Sequence, residues 1–405
     1  MIRLAAVSLL AIFLFVAVAV ADDPNPASLA PTPEQIARAK QLVLQLGSPV
    51  YRERDEATRE LFKMGRVALG VIEATINETS EPEIRERCEM LKPTIEAADL
   101  IARLKAFLAD KEGKFSHDLP GWNKFQEITG NTTGARELFA ELWKNKLNAS
   151  LLAATKLSKE EFAKRVLTRR IDLYNTTMRY SPQGQRTPAT LADVVTLLFA
   201  ESYDGVTTER QYYYVVTNAL NLPNIRTAIT DEKNGAPARK LLIRWMDSRT
   251  EMYEVYSTMS LAASLNLKEA PIAKYAEKVL ELKGATGYYR MYALTTLARV
   301  GGKEHLAIMK KWLKDETVQK VVRFVNNVQQ QTDIQVRDVA LAMCILATDQ
   351  KVEDYGFEML YANANQNVAM KFSYNNYSFA SDDKRKAAFK KWDEFEAKPK
   401  KEEKK

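Results

Sequence analysis

Tyr51-Arg52-Glu53-Arg54-Asp55-Glu56-Ala57 returns as Ile84-Arg85-Glu86-Arg87-Cys88-Glu89-Met90, 33 residues further along, with four of the seven positions identical. A proline stands two residues ahead of each copy, at Pro49 and Pro82. Self-similarity at a period of about 20–50 residues marks stacked supersecondary units, each too small to bury its apolar face alone. A stack of that kind binds through an extended surface rather than through one deep pocket.

The flanking residues read as short helices with short joints. Thr32 is placed to cap a helix, with Pro33 in its first turn and Gln35 to complete a capping box. Ile36, Ala39, Leu42, Val43 and Leu46 then form an apolar stripe at helical spacing. Gly47 is expected to stop that helix in the left-handed conformation, and Gly65 to stop the next. Ser80-Glu81-Pro82-Glu83 starts a fourth helix. The middle departs from the repeat. Asp110–Gly121 and Ser181–Thr187 read as its longest loops, and Thr207 and Thr208 as caps for a helix through Tyr212, Tyr213 and Tyr214. No β-alternation longer than a few residues stands out, so the expected class is all-α.

The stretch Leu46-Gly47-Ser48-Pro49 with its Arg-Glu-Arg helix, and then Met64-Gly65-Arg66-Val67-Ala68-Leu69, resembles a HEAT repeat. So does Arg290–Glu304 running into Leu306, Met309 and Leu313, and Asp333–Ala340 is similar to the family's Asp…Val-Arg…Ala helix. The likeness covers about 40–100 and 255–350. The whole chain also resembles poorly characterised secreted HEAT-repeat proteins of planctomycete type, through Asp118–Trp122 and Asp338–Met343. The resemblance implies an α-solenoid of antiparallel helical hairpins with a binding role. Hairpins are then expected to stack from Thr32 to about Asn363, burying Leu46, Leu61, Leu69, Leu294, Leu297, Val336 and Ala340. Arg52, Arg85 and Arg337 are expected just inside their helices, touching neighbouring helix ends or acids. The expected divisions are a leader at 1–21, repeats at 22–109, an irregular helical middle at 110–250, repeats at 251–380, and a terminal helix with a Lys-rich disordered tail at 381–405.

The leader is read from Arg3, the charge-free apolar run Leu4–Val20 and the small-x-small end Ala19-Val20-Ala21. That is the pattern of a secretory signal peptide cut after Ala21, giving Asp22 as the new N-terminus and a periplasmic or secreted protein. No later apolar run matches it in length, so no transmembrane segment is expected in the mature chain. Two cysteines, Cys88 and Cys344, are too few for a disulfide framework and read as core residues. The net charge is +7, but Lys384–Lys405 alone carries ten basic and five acidic residues. With that surplus in one tail, the body is near neutral and a nucleic-acid groove is not expected.

Residues that carry chemistry are sparse. The two histidines, His117 and His305, stand alone, with no partner at zinc-ligand spacing. His117 beside Asp118 is a weak general-base candidate, and His305 reads as a surface residue. Gly301-Gly302-Lys303 lacks the preceding strand and the spacing of a phosphate loop. The acid pairs Glu160-Glu161 and Asp382-Asp383 sit where a helix N-terminus favours negative charge. No catalytic residue, metal or cofactor is expected. The expectation is a non-catalytic scaffold that binds another exported or envelope protein near Trp122, Tyr212, Tyr213 and Tyr214. Two alternatives remain: an enzyme with its site in the helical middle, and a polyanion or membrane-surface binder acting through the basic tail.

Overall fold

Thr32 starts the first long helix, α1 (Pro33–Gln45), by accepting from the Gln35 amide while the Gln35 side chain accepts from the Thr32 amide. That reciprocal box satisfies two of the amides a helix start leaves free. In this computed structural model the described residues are 23–177, 188–206, 212–325, 328–357 and 368–398. The leader, the Ser181–Thr187 loop, Thr207 and Thr208, Asn363 and the tail beyond Lys398 lie outside them. The chain divides into two compact units, Met1–Lys156 and Leu157–Lys405.

In the first unit, α1 packs with α2 (Tyr51–Met64), α3 (Arg66–Glu78) and α4 (Pro82–Ala109). Their shared core includes Leu42, Leu46, Leu61, Ile72, Cys88 and Ile95. Gly65 joins α2 to α3 at φ 53°, as the sequence predicts. Gly47 is different: its φ is not positive, and a Cβ there would stand 2.9 Å from Ile84 Cγ1. It is glycine because α4 packs against it.

The repeat also shifts. Helices α2 and α4 begin 31 residues apart, at Tyr51 and Pro82. Ser48 and Thr79, also 31 apart, each accept from the amide two residues on, and Arg54 and Arg85 each donate to the carbonyl six residues back. Ala57 and Cys88, at the same offset, are both fully buried. The 33-residue alignment instead pairs Tyr51, 71% exposed, with Ile84, 8% exposed. A slip of two residues turns a helix by roughly 200°, which carries a buried position to the opposite face. Arg52, by contrast, is simply exposed.

The first unit is completed by α5 (Trp122–Thr129), α6 (Thr133–Leu142) and α7 (Lys146–Ala153). The segment expected to open a separate middle region therefore joins the N-terminal helices: Arg136 of α6 donates to the Phe107 carbonyl of α4 at 2.8 Å.

The second unit opens with α8 (Lys159–Thr177), α9 (Leu191–Ala200), α10 (Tyr213–Leu220), α11 (Pro223–Thr230) and α12 (Ala236–Asp247). Helix α9 is buried from Asp193 to Ala200 without a polar face to water, and it is the core on which α8, α10, α11 and α12 pack. Next come α13 (Met252–Ser264), α14 (Ile272–Glu281), α15 (Gly287–Val300) and α16 (Leu306–Lys310). Each of the first three packs on the next, and α15 packs on α17 (Val336–Ala347). A short α18 (Val368–Lys371) precedes α19 (Asp382–Glu396). Arg385 of α19 grips the fully buried Asp338 of α17 with two bonds, at 2.8 and 3.1 Å.

The chain is predominantly helical, with one departure among the described residues. Strands β1 (Val318–Val325) and β2 (Val328–Gln335) form an antiparallel ribbon, in register from Val318 opposite Gln335 to Val325 opposite Val328. Asp333-Ile334-Gln335, read in the sequence as part of a repeat helix, therefore lies in a strand, with Asp333 opposite Lys320. The helix begins only at Val336, and Arg337 in its first turn pairs with Glu316. No helix of the described residues is long and apolar enough to cross a membrane.

Of the residues expected in the core, Leu46, Leu61, Leu294, Leu297, Val336 and Ala340 are fully buried, and Leu69 is half-buried. Leu297→Ala should therefore cost about 2–5 kcal/mol of unfolding free energy, and Leu69→Ala less. Urea denaturation of the two variants compares them directly.

Candidate functional site

Loop chemistry explains where the sequence-flagged residues go. Asp110, at the end of α4, accepts from the Lys114 and Phe115 amides at 2.9 and 3.0 Å, which folds the following loop back on itself. Its Oδ2 also takes Arg136 Nη2 and His117 Nε2, each at 3.1 Å. All three side chains are buried. His117 is thus bonded to Asp110, while its sequence neighbour Asp118 points to solvent near Lys156. The Arg136 guanidinium lies 4.1 Å from the centre of the Phe107 ring. Trp122, 3% exposed, packs edge-on against Phe107 at 4.7 Å and lies beside Phe139 at 5.2 Å. It belongs to this core and offers no surface to a partner.

In the second unit Tyr213 is also spent on packing. It is fully buried, and its hydroxyl donates to the Glu254 carbonyl at 3.0 Å. Tyr212 is half-buried, with its carbonyl accepting from Arg170 at 3.3 Å. Only Tyr214, 54% exposed, presents a ring to solvent. The three consecutive tyrosines thus point to different surroundings, as consecutive positions on a helix must.

The buried carboxylates in and just beyond the irregular middle are likewise committed. Glu201, beside the end of α9, pairs with Arg170 of α8 and accepts from Trp245 Nε1 of α12 at 2.8 Å. Arg249 lies 3.9 Å from both Glu201 and Glu254, and donates to the Glu201 carbonyl at 3.0 Å. Arg169 bonds Asp193 at 2.6 Å. All six side chains are buried. A general base must reach a substrate proton, and these groups face one another in the interior.

Accessible functional groups gather elsewhere, where α13 meets α15. Tyr288, Tyr289 and Tyr292 line one side of α15, and Tyr256 of α13 lies against all three, at ring separations of 5.6, 4.9 and 5.1 Å. The Tyr256 and Tyr288 hydroxyls are 2.6 Å apart, and the Tyr292 hydroxyl is 3.2 Å from Ser260 Oγ. Tyr374, far along the chain, packs edge-on to Tyr288 at 5.7 Å. All five rings are half-buried. Two of them, Tyr292 and Tyr374, border a cleft of about 230 Å³ whose lining also includes Thr295, Thr296, Arg299 and Phe372. Burial, with the neighbouring Tyr288 adding to it, raises the pKa values of the Tyr256 and Tyr374 phenols. They are therefore neutral near pH 7 and act as hydrogen-bonding groups and ring faces rather than as bases. Arg299 is the charged residue of the lining. Tyr288 and Tyr289 are adjacent in the sequence, but their partners are not. The four-residue step from Tyr288 to Tyr292 was a readable signal, whereas the approach of Tyr374 was not.

Among the described residues, no group of three or more His, Cys, Asp or Glu side chains is placed to hold a metal ion. The Asp110 cluster has a pH signature. Burial lowers the His117 pKa against the opposing pull of Asp110, so the folded chain holds this imidazole neutral. Burial raises Asp110, but the Phe115 and Lys114 amides, His117 and Arg136 outweigh it, and its pKa is lowered. Stability contributed by neutral His117 should thus be lost as pH falls below about 6.5, the ordinary histidine value, where the unfolded chain binds the proton first. That from Asp110 should be lost only below about 3.9. Urea unfolding against pH, read by tryptophan fluorescence, should show the upper loss in the wild type and lack it in His117→Gln. Comparison with protein-family models, with curated proteins and with solved structures finds no match to this chain.

Proposed function

We propose that this chain is an exported, non-catalytic binding scaffold, an α-solenoid of HEAT-like helical pairs. In this reading it holds another exported or envelope protein in the cleft that Tyr292 of α15 and Tyr374 border. The observation that carries the reading is the cleft itself: half-buried tyrosines with hydroxyls on their rims and one exposed arginine. Tyrosine and arginine dominate binding hot spots because they give large contact area and hydrogen bonds at low entropic cost. The order of packing, with α13, α14, α15 and α17 each laid on the next, supports the solenoid. So does the 31-residue equivalence of Ser48 and Arg54 with Thr79 and Arg85. The internal pairing of Asp110, Asp193, Glu201 and Glu254 supports a role without acid–base chemistry.

The test is affinity capture from the exported fraction with three baits: the wild type, Tyr292→Ala/Tyr374→Ala, and a chain lacking Lys398–Lys405. A partner held by the wild type and the truncated chain, and lost by the folded double variant, is the expected result. Retention by the tyrosine variant with loss on truncation would move the interaction to the basic tail.

A further inference from the structure

Arg299 borders a second, larger cleft of about 660 Å³, between the turn after α13, the first turn of α14 and the turn after α15. Its lining includes Lys268, Arg299 and His305, with Asn266 and Ile272 beside them and no acidic residue. Lys268 and Arg299 are exposed, and neither makes an ion-pair contact among the described residues, although Lys268 acts electrostatically on the adjacent Glu269. The adjacent acid, Glu269, is held outside by Arg239 at 3.1 Å. His305 is set by Gly301: a Cβ at that position would stand 2.4 Å from the imidazole Nε2, so only glycine leaves room for the ring. Asn266 adopts φ 52° at the rim, a conformation that costs a non-glycine residue energy.

Two cations with no acid among the lining residues, and an imidazole, on the walls of one concavity focus a positive potential into it. A guanidinium supplies a planar fork of donors and a lysine a mobile point charge, the combination suited to a tetrahedral oxyanion with several acceptor oxygens. Ile272 and Ala273, in the first turn of α14, also line this space, and that helix start has no side-chain cap. A single carboxylate would leave one cation unanswered, whereas a dianion answers both. We propose that this cleft binds a phosphate dianion, free or as a phosphomonoester. The inference shares Arg299 with the partner reading but does not depend on it, because Lys268 and His305 line this cleft and not the other.

Phosphorus NMR of the full chain titrated with inorganic phosphate, at about 0.15 M NaCl where screening suppresses loose surface attraction, tests it. The expected result is saturable binding at one site. Lys268→Gln/Arg299→Gln should weaken it by at least about tenfold, as loss of charge-assisted bonds requires. The charge-matched Arg38→Gln/Lys40→Gln, on exposed positions of α1, should leave it unchanged, as should Tyr292→Ala/Tyr374→Ala. Circular dichroism checks that each variant keeps its helices; if the Lys268/Arg299 pair does not fold, His305→Gln takes its place. Glycerol 3-phosphate binding more tightly than inorganic phosphate would assign the site to esters, and the reverse to the free ion. Absence of saturable binding, equal weakening in the control pair, or displacement by acetate at matched concentration would overturn the proposal.

Discussion

Glu201 is a carboxylate with almost no contact to water, beside the C-terminal end of a helix whose dipole already disfavours negative charge there. It stays in place because Arg170, Trp245 and Arg249 converge on it from elements before and after it in the chain. The same solution recurs at Asp110 with Arg136 and at Asp338 with Arg385. A buried charge without a partner is far costlier than a buried methyl group, so each site admits few alternative packings. The helices of the irregular middle lack the long apolar stripes of a regular bundle, and these ion pairs fix how they meet.

That use of charge narrows the chemistry available to the molecule. Three acids and the imidazole of the middle, Asp110, Asp193, Glu201 and His117, are turned inward and paired, while most of its other described acids are exposed. Where α15 adjoins α13 and α14, accessible phenols, hydroxyls and the cations Lys268 and Arg299 gather. Such groups recognise surfaces and anions. Arg299, exposed at the end of α15, lines both clefts.

Local signals were legible in the sequence. The Thr32 box, the Gly65 joint and the acidic first turns of α8 and α19 depend on residues within a few positions of one another. The all-α character and six of the seven named core residues followed from helical spacing. Longer-range features were not legible. The heptapeptide match is offset by two residues from the structural equivalence, because the Ser48 and Thr79 turns, not the charged letters that follow, fix where each helix starts. The ribbon was hidden because Asp333–Gln335 is paired with a strand more than ten residues earlier. Apart from Arg249–Glu254 and His117–Asp110, the partners in the ion networks lie 24 to 48 residues apart, with no spacing rule to announce them. Trp122 and Tyr213 were legible as aromatic but not as buried, since composition does not say which side of a short helix meets the core.

The central claim is that buried charge pairs hold the middle of the chain together as structure. Equilibrium urea unfolding of Glu201→Gln measures it most directly, because the substitution keeps shape and removes only the charge. A loss of about 3–5 kcal/mol, the usual result of stranding buried arginines, is predicted. Unchanged stability would contradict the account and return Glu201 to the residues free to serve chemistry.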